Sequence, residues 1–185
     1  MEYSELNLIP QVAKSATCAF TGNRPHRLPW GDDESDSECV SVKAILREKV
    51  RELIEQGVVL FVCGMANGAD LYFAETVIAL KAEYPSVRLE GAVPYHGQER
   101  TWPRSERTWP RSERERYENA IKGCDFVTVV SEHGSKWAPL KRNRYMVDKA
   151  SILLSLNYAE SGGSAYTERY ARENKVKIIK INDNI

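Results

Sequence analysis

The sequence lacks a long hydrophobic run. Its longest uninterrupted apolar stretch, residues 58–63, is far shorter than the about 20 residues that a membrane-spanning helix needs. Residues 1–5 are polar and do not form a signal-peptide pattern. These two absences argue against a membrane protein, and we expect the protein to be cytoplasmic.

The sequence also lacks an excess of charge of either sign. It contains 26 lysine and arginine residues and 26 aspartate and glutamate residues, which gives a formal net charge of +0. A balanced chain has no general electrostatic attraction for nucleic acid or for an acidic membrane surface. No basic groove is indicated beyond residues 100–116, which combine arginine with tryptophan, side chains that can stack on bases. We therefore expect neither nucleic acid nor a membrane as a partner.

Cysteine and histidine are few, and none of them is spaced as a metal site. The four cysteines form no Cys-x-x-Cys pair, so neither a zinc site nor a redox motif is indicated. Buried reduced thiols are the simplest interpretation. The three histidines are widely spread, although His26 or His96 could line a pocket. We expect no metal and no other cofactor.

What the sequence does contain is an alternation of short β-rich runs with longer helical patterns. This alternation is typical of a parallel sheet that is covered by helices on both faces. The predicted strands are residues 17–21, 58–63, 87–93, 126–130, 152–156 and 177–181. The predicted helices are an apolar stripe over residues 42–54, a helix from about residue 67 to before Pro85, and residues 113–122, 140–149 and 164–174. The length and even composition predict a single doubly wound α/β domain over residues 1–185.

Three glycine turns, each following a predicted strand, are the most informative feature of the chain. They are Thr21-Gly22-Asn23-Arg24-Pro25, Gly64-Met65-Ala66-Asn67-Gly68-Ala69-Asp70 and Ser161-Gly162-Gly163-Ser164-Ala165-Tyr166-Thr167. In a doubly wound sheet, ligands bind beyond the carboxyl ends of the strands, so the three turns should face one crevice. Glycine lets backbone N–H groups approach an anion, and the following helix adds the positive end of its dipole. The pattern predicts a nucleotide pocket.

The first and third turns supply the phosphate-binding candidates. In the first turn, which begins at Thr21, Gly22 permits close approach of a ligand and Arg24 offers a planar fork suited to phosphate. The third turn supplies the principal phosphate cradle: Gly162, Gly163, Ser164 and Thr167.

The second turn and the segment before the fifth strand add further candidates. Gly64 and Gly68 lie beside Asp70, which either hydrogen-bonds a ribose or caps the following helix. Further along the chain, two arginines flank Asn143, and at least one of Arg142 and Arg144 is a candidate phosphate clamp. The candidates for a catalytic carboxylate are Asp70, Glu75 and Asp148.

A seven-residue segment, residues 100–106, is repeated without change as residues 107–113. One extra copy is too short to be a solenoid repeat. We interpret it as a local duplication that bulges out as a loop, because added loop length costs little closure entropy.

Five motifs in the same order resemble the YpsA-like branch of the SLOG superfamily, which is named after the DNA-processing protein DprA and the cytokinin-activating LOG enzymes. They are Thr-Gly-Asn-Arg-Pro at 21–25, Gly-Met-Ala-Asn-Gly-Ala-Asp at 64–70, Pro94 with Gln98 and Trp102, Arg-Asn-Arg-Tyr-Met-Val-Asp at 142–148, and Gly-Gly-Ser-Ala-Tyr-Thr at 162–167. The resemblance covers about residues 16–181 and leaves 1–15 as an N-terminal extension.

The resemblance implies a Rossmann-like fold that binds a nucleotide or a nucleotide derivative. It places the glycine turns, Arg142 and Asn143 in the site, together with Gln98 and Trp102. Because of the duplication, Trp102 keeps the family spacing from Gln98, whereas Trp109 keeps the spacing toward the following helix. The resemblance also implies a homo-oligomer.

The sequence departs from the family pattern at several positions. A histidine is usual where Asn23 stands, a threonine where Ser164 stands, and a Ser-Asp pair where Ala150 and Ser151 stand. LOG-type enzymes carry the motif Pro-Gly-Gly-x-Gly-Thr-x-x-Glu, whose first two glycines align with Gly162 and Gly163. Its third glycine, its threonine and its glutamate are replaced here by Ala165, Tyr166 and Arg169. We therefore predict nucleotide-derivative binding by a sensor or processing protein. The alternative is a LOG-like phosphoribohydrolase that cleaves the N-glycosidic bond of a nucleoside monophosphate.

Overall fold

A computed structural model describes residues 11–97 and 111–184 of the chain. Six strands and five helices alternate along it. The strands are β1 (Thr17–Gly22), β2 (Leu60–Cys63), β3 (Arg88–Val93), β4 (Phe126–Val129), β5 (Ile152–Leu156) and β6 (Lys177–Lys180). The helices are α1 (Ser37–Glu55), α2 (Ala69–Leu80), α3 (Arg111–Gly123), α4 (Ala138–Lys149) and α5 (Gly163–Glu173).

The strands form one parallel sheet in the order β4-β3-β2-β1-β5-β6. The order reverses at β1, because β2, β3 and β4 extend to one side of it and β5 and β6 to the other. This reversal is the topological switch point of a doubly wound sheet. The predicted fold class, an α/β Rossmann-like doubly wound sheet, is confirmed.

Helices cover both faces of the sheet, and the strands alternate between the two layers. Phe20, Phe61 and Cys63 point to the layer formed by α1, α2 and α3, whereas Ala19 and Val62 point to the layer formed by α4 and α5. The four inner strands β3, β2, β1 and β5 are buried on both faces, and most of their residues are apolar, as parallel sheets require. The edge strands β4 and β6 are only partly buried. Burial of this apolar surface on both sides stabilises the sheet.

Helices α3, α4 and α5 begin and end within about two residues of their predicted ranges, whereas α1 begins at Ser37, ahead of the predicted stripe over residues 42–54, and α2 ends at Leu80, well before Pro85. The Asp36 carboxylate caps α1 by accepting the Glu38 N–H at 2.7 Å. Helix α4 begins two residues before the prediction because the Ser135 hydroxyl accepts the backbone N–H groups of Trp137 and Ala138. Serine hydroxyls are favoured at the start of a helix because they accept backbone N–H groups that have no partner inside the helix.

Gly57 ends α1 in a left-handed conformation with a φ of 97°, and no other atom lies near the position of a Cβ. Gly57→Ala should therefore lower the free energy of unfolding by about 1 kcal/mol through backbone strain alone. Urea denaturation measures the change. Gly57→Asn is the matched control and should lose less, since asparagine tolerates this conformation. Equal losses in the two variants would contradict the strain argument.

Candidate functional site

A pocket lies at the carboxyl ends of β1 and β5, where the strand order reverses. Its cavity volume is about 320 Å³, near the lower end of the range of small-molecule sites. Residues from both sides of the switch point line it: Phe20, Thr21, Gly22, Asn23, Arg24, His26, Arg27, Ala66, Asp70, Pro139, Leu140, Arg142, Asn143, Met146, Gly162, Gly163 and Ser164.

The structure brings most of the predicted binding residues to this one pocket. Those in the lining are Thr21, Gly22, Arg24, Asp70, Arg142, Asn143, Gly162, Gly163 and Ser164. Three others, Gly64, Gly68 and Thr167, are not part of the lining. Gln98, Trp102 and Trp109 lie outside the described residues, as does most of the duplicated segment.

The N-terminus of α5 forms one wall of the pocket. Gly162 precedes the helix with a φ of 94°, and no side chain within the described ranges caps this end. The first N–H groups of a helix have no partner inside the helix and carry its positive dipole end, so this wall suits an anion. A Cβ on Gly163 would lie 3.8 Å from the Asn143 amide nitrogen, so this glycine has room on its pocket side.

Asn23 connects the two loops that meet at the switch point. Its side-chain oxygen accepts the Tyr158 N–H at 2.6 Å, and its side-chain nitrogen donates to the Asn157 side-chain oxygen at 3.1 Å. The Ser164 hydroxyl also approaches Asn23 and donates to the Gly22 carbonyl at 2.7 Å. Asn23 thus fixes the β1 turn against the start of α5. A histidine is usual at this position in the family pattern, but here the residue is a buried structural link.

Arg142 enters the pocket from α4 and is only 8% exposed. Its Nη1 donates to the Gly64 carbonyl and, at 3.4 Å, to the Ala92 carbonyl, while its Nε donates to the Asn143 side-chain oxygen at 2.8 Å. Burial lowers the pKa of the Arg142 guanidinium, and the attraction of the nearby Asp70 opposes this effect. The guanidinium is thus a fixed, desolvated cation at the floor of the pocket.

Asp70 is the carboxylate of the pocket lining and is 5% exposed. Its Oδ2 accepts the Ala66 N–H at 3.0 Å and lies 4.0 Å from Arg142 Nη1. Burial raises the pKa of the Asp70 carboxyl, and Arg142 and the Ala66 N–H act in the opposite direction. The sequence left open whether Asp70 caps α2 or binds a ribose, and here it braces the turn before α2 while facing the pocket.

Gly64 and Gly68 are glycines because other parts of the protein pack against them. A Cβ on Gly64 would overlap the Arg142 guanidinium. Gly68 has a φ of 89°, and its Cβ would lie 2.8 Å from Pro25 Cδ. These two glycines pack against residues that line the pocket and are not themselves part of the lining. The sequence pattern alone does not distinguish this role from direct contact with a ligand.

The charge of the lining is predominantly positive. Arg24, Arg27 and Arg142 face it, against the single carboxylate of Asp70. Arg27 donates to the Ser161 carbonyl at 2.5 Å and so crosses from the β1 turn to the turn before α5. Sequence reasoning did not select Arg27, although its place two residues after Pro25 in a glycine turn was a signal. Such a lining attracts anionic ligands.

The remaining candidates lie away from the pocket. The Thr167 hydroxyl donates to the Gly163 carbonyl at 2.8 Å inside α5. Glu75 binds Arg116 of α3, with Oε1 2.5 Å from Nε and Oε2 2.7 Å from Nη2. Asp148 accepts the Tyr170 hydroxyl at 3.0 Å. Arg144, the alternative to Arg142, is exposed and lies over the rings of Tyr166 and Tyr170.

Within residues 11–97 and 111–184, no three histidine, cysteine or acidic side chains come together as metal ligands. The helices in that part of the chain include none with the length and apolar character to span a bilayer.

The strand order and the pocket at the switch point define a Rossmann-like doubly wound fold with its candidate ligand site at the expected edge of the sheet. The chain belongs to the YpsA family: the family model described as "YspA SLOG family" matches residues 18–182. A UPF0398 protein of Bacillus pumilus is 31% identical over 150 residues, which cover 79% of this chain and 75% of that protein. A UPF0398 protein of Lysinibacillus sphaericus is 25% identical over 157 residues, covering 83% of each chain.

Solved structures of DNA processing protein A share the fold. The protein from Streptococcus pneumoniae superposes with a TM-score of 0.56 at 18% identity, over 90% of this chain and 50% of that one. The protein from Helicobacter pylori, described for its single-stranded DNA binding mode, gives the same TM-score and identity over 90% of this chain and 65% of that one. The present chain therefore spans about half to two thirds of these neighbours and resembles them in fold.

Proposed function

We propose that this protein binds a nucleotide or a nucleotide-derived ligand in the pocket between β1 and β5. The observation that carries the proposal is the uncapped N-terminus of α5 at the topological switch point, facing a lining with three arginines. Helix N-termini at switch points hold phosphate groups in doubly wound folds. The phosphate would lie at Gly162, Gly163 and Ser164, with Arg24 on the opposite turn.

The lining supports binding as the primary role, in a sensor or a processing protein. It contains one carboxylate, Asp70, which already accepts a backbone N–H and faces Arg142. Acid–base catalysis usually combines a proton donor or acceptor with further groups that orient it. The other catalytic candidates, Glu75 and Asp148, are engaged elsewhere in the fold.

Glycosidic hydrolysis is the alternative, and one observation favours it. Burial raises the pKa of Asp70, so this carboxyl retains a proton to higher pH than an exposed aspartate does. A protonated acid beside the ligand could protonate the departing base of a nucleoside monophosphate. The release of free base separates this alternative from binding without turnover.

The proposal is tested by a thermal-shift screen of nucleotides, nucleoside monophosphates, NAD and ADP-ribose, followed by calorimetry on each hit. Gly163→Asp places a carboxylate where the phosphate should lie, and like charges repel across a binding interface. An acid at a helix N-terminus also stabilises the helix, so the variant should fold normally. We expect its affinity for the hit to fall at least tenfold. Ser41→Asp, an exposed change on α1, is the charge-matched control.

The outcomes discriminate among the candidate functions. A hit that is weakened by Gly163→Asp and unchanged by Ser41→Asp supports the pocket, and chromatography of the reaction mixture shows whether base is released. A hit that Gly163→Asp leaves unchanged contradicts the phosphate position. An oligo-dT strand included in the screen tests whether the single-stranded DNA binding described for the Helicobacter pylori neighbour extends to this chain.

We also propose self-association into a homo-oligomer, which the family resemblance implies. Light scattering coupled to size-exclusion chromatography measures the molar mass, and the mass of a single chain, 21.0 kDa, would contradict the proposal.

A further inference from the structure

Trp137 is an exposed aromatic side chain two residues before Pro139 of the pocket lining, and it has no role in the site described above. It is 58% exposed, and only Val40, at 54%, accompanies it among large exposed hydrophobic side chains in the described ranges. Val40 lies on α1, in the layer on the other face of the sheet. The exposed indole offers a large flat aromatic surface on which a planar ligand can stack.

The position of Trp137 relates it to the pocket. It immediately precedes α4, whose first turn supplies Pro139 and Leu140 to the lining. Further along, α4 contributes Met146, so the apolar part of the lining belongs largely to this helix. The proposed phosphate position, in contrast, lies at the N-terminus of α5. A ligand with its phosphate at α5 therefore has an apolar surface at α4 for its remaining part.

The backbone around Trp137 is held in place. The Ser135 hydroxyl accepts the Trp137 N–H at 3.3 Å and the Ala138 N–H at 3.2 Å. Gly134 lies against the Tyr95 ring, where a Cβ would come within 3.1 Å of that ring. The Lys136 ammonium lies 5.1 Å from the centre of the Trp137 ring and brings positive charge to the same place. An aromatic group on a fixed backbone costs little entropy when it binds a flat ligand.

We propose that Trp137 stacks on the base of the nucleotide whose phosphate lies at α5. The inference rests on the proposed function and deepens it by assigning the base-recognition residue. Because Pro139 and Leu140 line the pocket just after Trp137, a base that extends from the phosphate site along α4 reaches the start of this helix. Stacking on an aromatic side chain tolerates every base, because each base presents a π-face.

The test compares ligands with and without a base. Calorimetry is carried out with the four ribonucleoside 5′-monophosphates, ADP-ribose and ribose 5-phosphate. We expect Trp137→Ala to weaken binding of the best base-containing ligand about tenfold and to leave ribose 5-phosphate binding unchanged. Trp137→Phe should retain most of the affinity, and Val40→Ala, the matched exposed hydrophobic control, should retain all of it. Quenching of tryptophan fluorescence by the nucleotide should be smaller in Trp137→Phe than in the wild type.

Each other outcome overturns the inference in a recognisable way. If Trp137→Ala binds the nucleotide as tightly as the wild type, the base lies elsewhere while the proposed function stands. If Trp137→Ala weakens ribose 5-phosphate equally, the side chain shapes the pocket and does not recognise the base. If the wild type binds none of these ligands and none of those in the thermal-shift screen, the proposed function fails and the inference fails with it. Circular dichroism and thermal melting of the variants exclude unfolding as the cause of a loss.

Discussion

Arg142→Met is expected to lower the free energy of unfolding by about 3–5 kcal/mol, the usual cost of leaving a buried charge without its partner. Arg142 and Asp70 are both buried at the pocket floor, and their charged atoms lie 4.0 Å apart. Without the guanidinium, the Asp70 carboxylate loses the largest of the effects that hold its pKa down. The carbonyls of Gly64 and Ala92 also lose their donor.

The pH dependence of this loss has a definite sign. Burial raises the folded-state pKa of Asp70 above its ordinary value, so between the two values the folded protein binds more protons than the unfolded chain. The contribution of Asp70 to stability therefore falls as the pH rises through that window. Arg142→Met removes the charge that lowers the Asp70 pKa, so the folded-state pKa of Asp70 rises further. The stability deficit of the variant should therefore be smaller at about pH 5, where Asp70 is more often protonated, than at about pH 8.

Urea denaturation of the ligand-free protein at both pH values measures these effects. Adding Asp70→Asn to Arg142→Met should recover more than 1 kcal/mol, about the coupling expected between groups in one buried network. Arg144→Met, on the same helix but exposed, is the control and should change stability by less than about 1 kcal/mol. Equal effects of the two arginine substitutions would refute the account of a buried pair.

Gly64→Ala is expected to lower the free energy of unfolding by about 3 kcal/mol, the sum of overpacking and one broken buried hydrogen bond. The new Cβ would overlap the Arg142 guanidinium and lie 2.8 Å from Asp70 Oδ2. Because Arg142 is buried, it cannot move into solvent without giving up its bonds to Gly64, Ala92 and Asn143. The substitution therefore disturbs the pocket floor as well as the fold.

Denaturation of two further variants distinguishes this explanation from a general intolerance of alanine. Gly163→Ala is the matched glycine control, and because its Cβ has space it should change stability by less than about 1 kcal/mol. In the Arg142→Met background, Gly64→Ala should cost less than in the wild type, since the clashing group is gone. An unchanged cost in that background would show that the guanidinium is not what excludes a side chain at position 64.

The fold was predictable because its signals are local. Each strand is a short β-rich run, and the turn glycines and Pro85 separate these runs from amphipathic helices. The structure places all six strands within about two residues of the prediction. The first two residues of the predicted second strand, Val58 and Val59, precede β2 because their N–H groups bond to Leu53 and Ala16 carbonyls before the regular ladder begins.

The location of the pocket could also be predicted from the sequence, but the separate role of each glycine could not. A glycine after a strand indicates that another group packs closely against the backbone there. Only the tertiary structure shows whether that group is a ligand or a side chain of the protein. For Gly64 it is Arg142, 78 residues further along the chain. Thr167 belongs to the third glycine motif, yet its hydroxyl bonds within α5 because the helix turns it away from the pocket. The binding assignments themselves remain predictions.

The pairing of β1 with β5 has a consequence for how the protein is made. The two sides of the pocket are joined by bonds such as that from Asn23 to Asn157, which span 134 residues of chain. During synthesis, β1 to β4 emerge first and contain one side of the pocket, while α5 emerges near the end. A nascent chain that stops before β5 therefore has no complete ligand site. Ligand can therefore assist folding only after the segment from β5 to β6, residues 152–180, has been added to the chain.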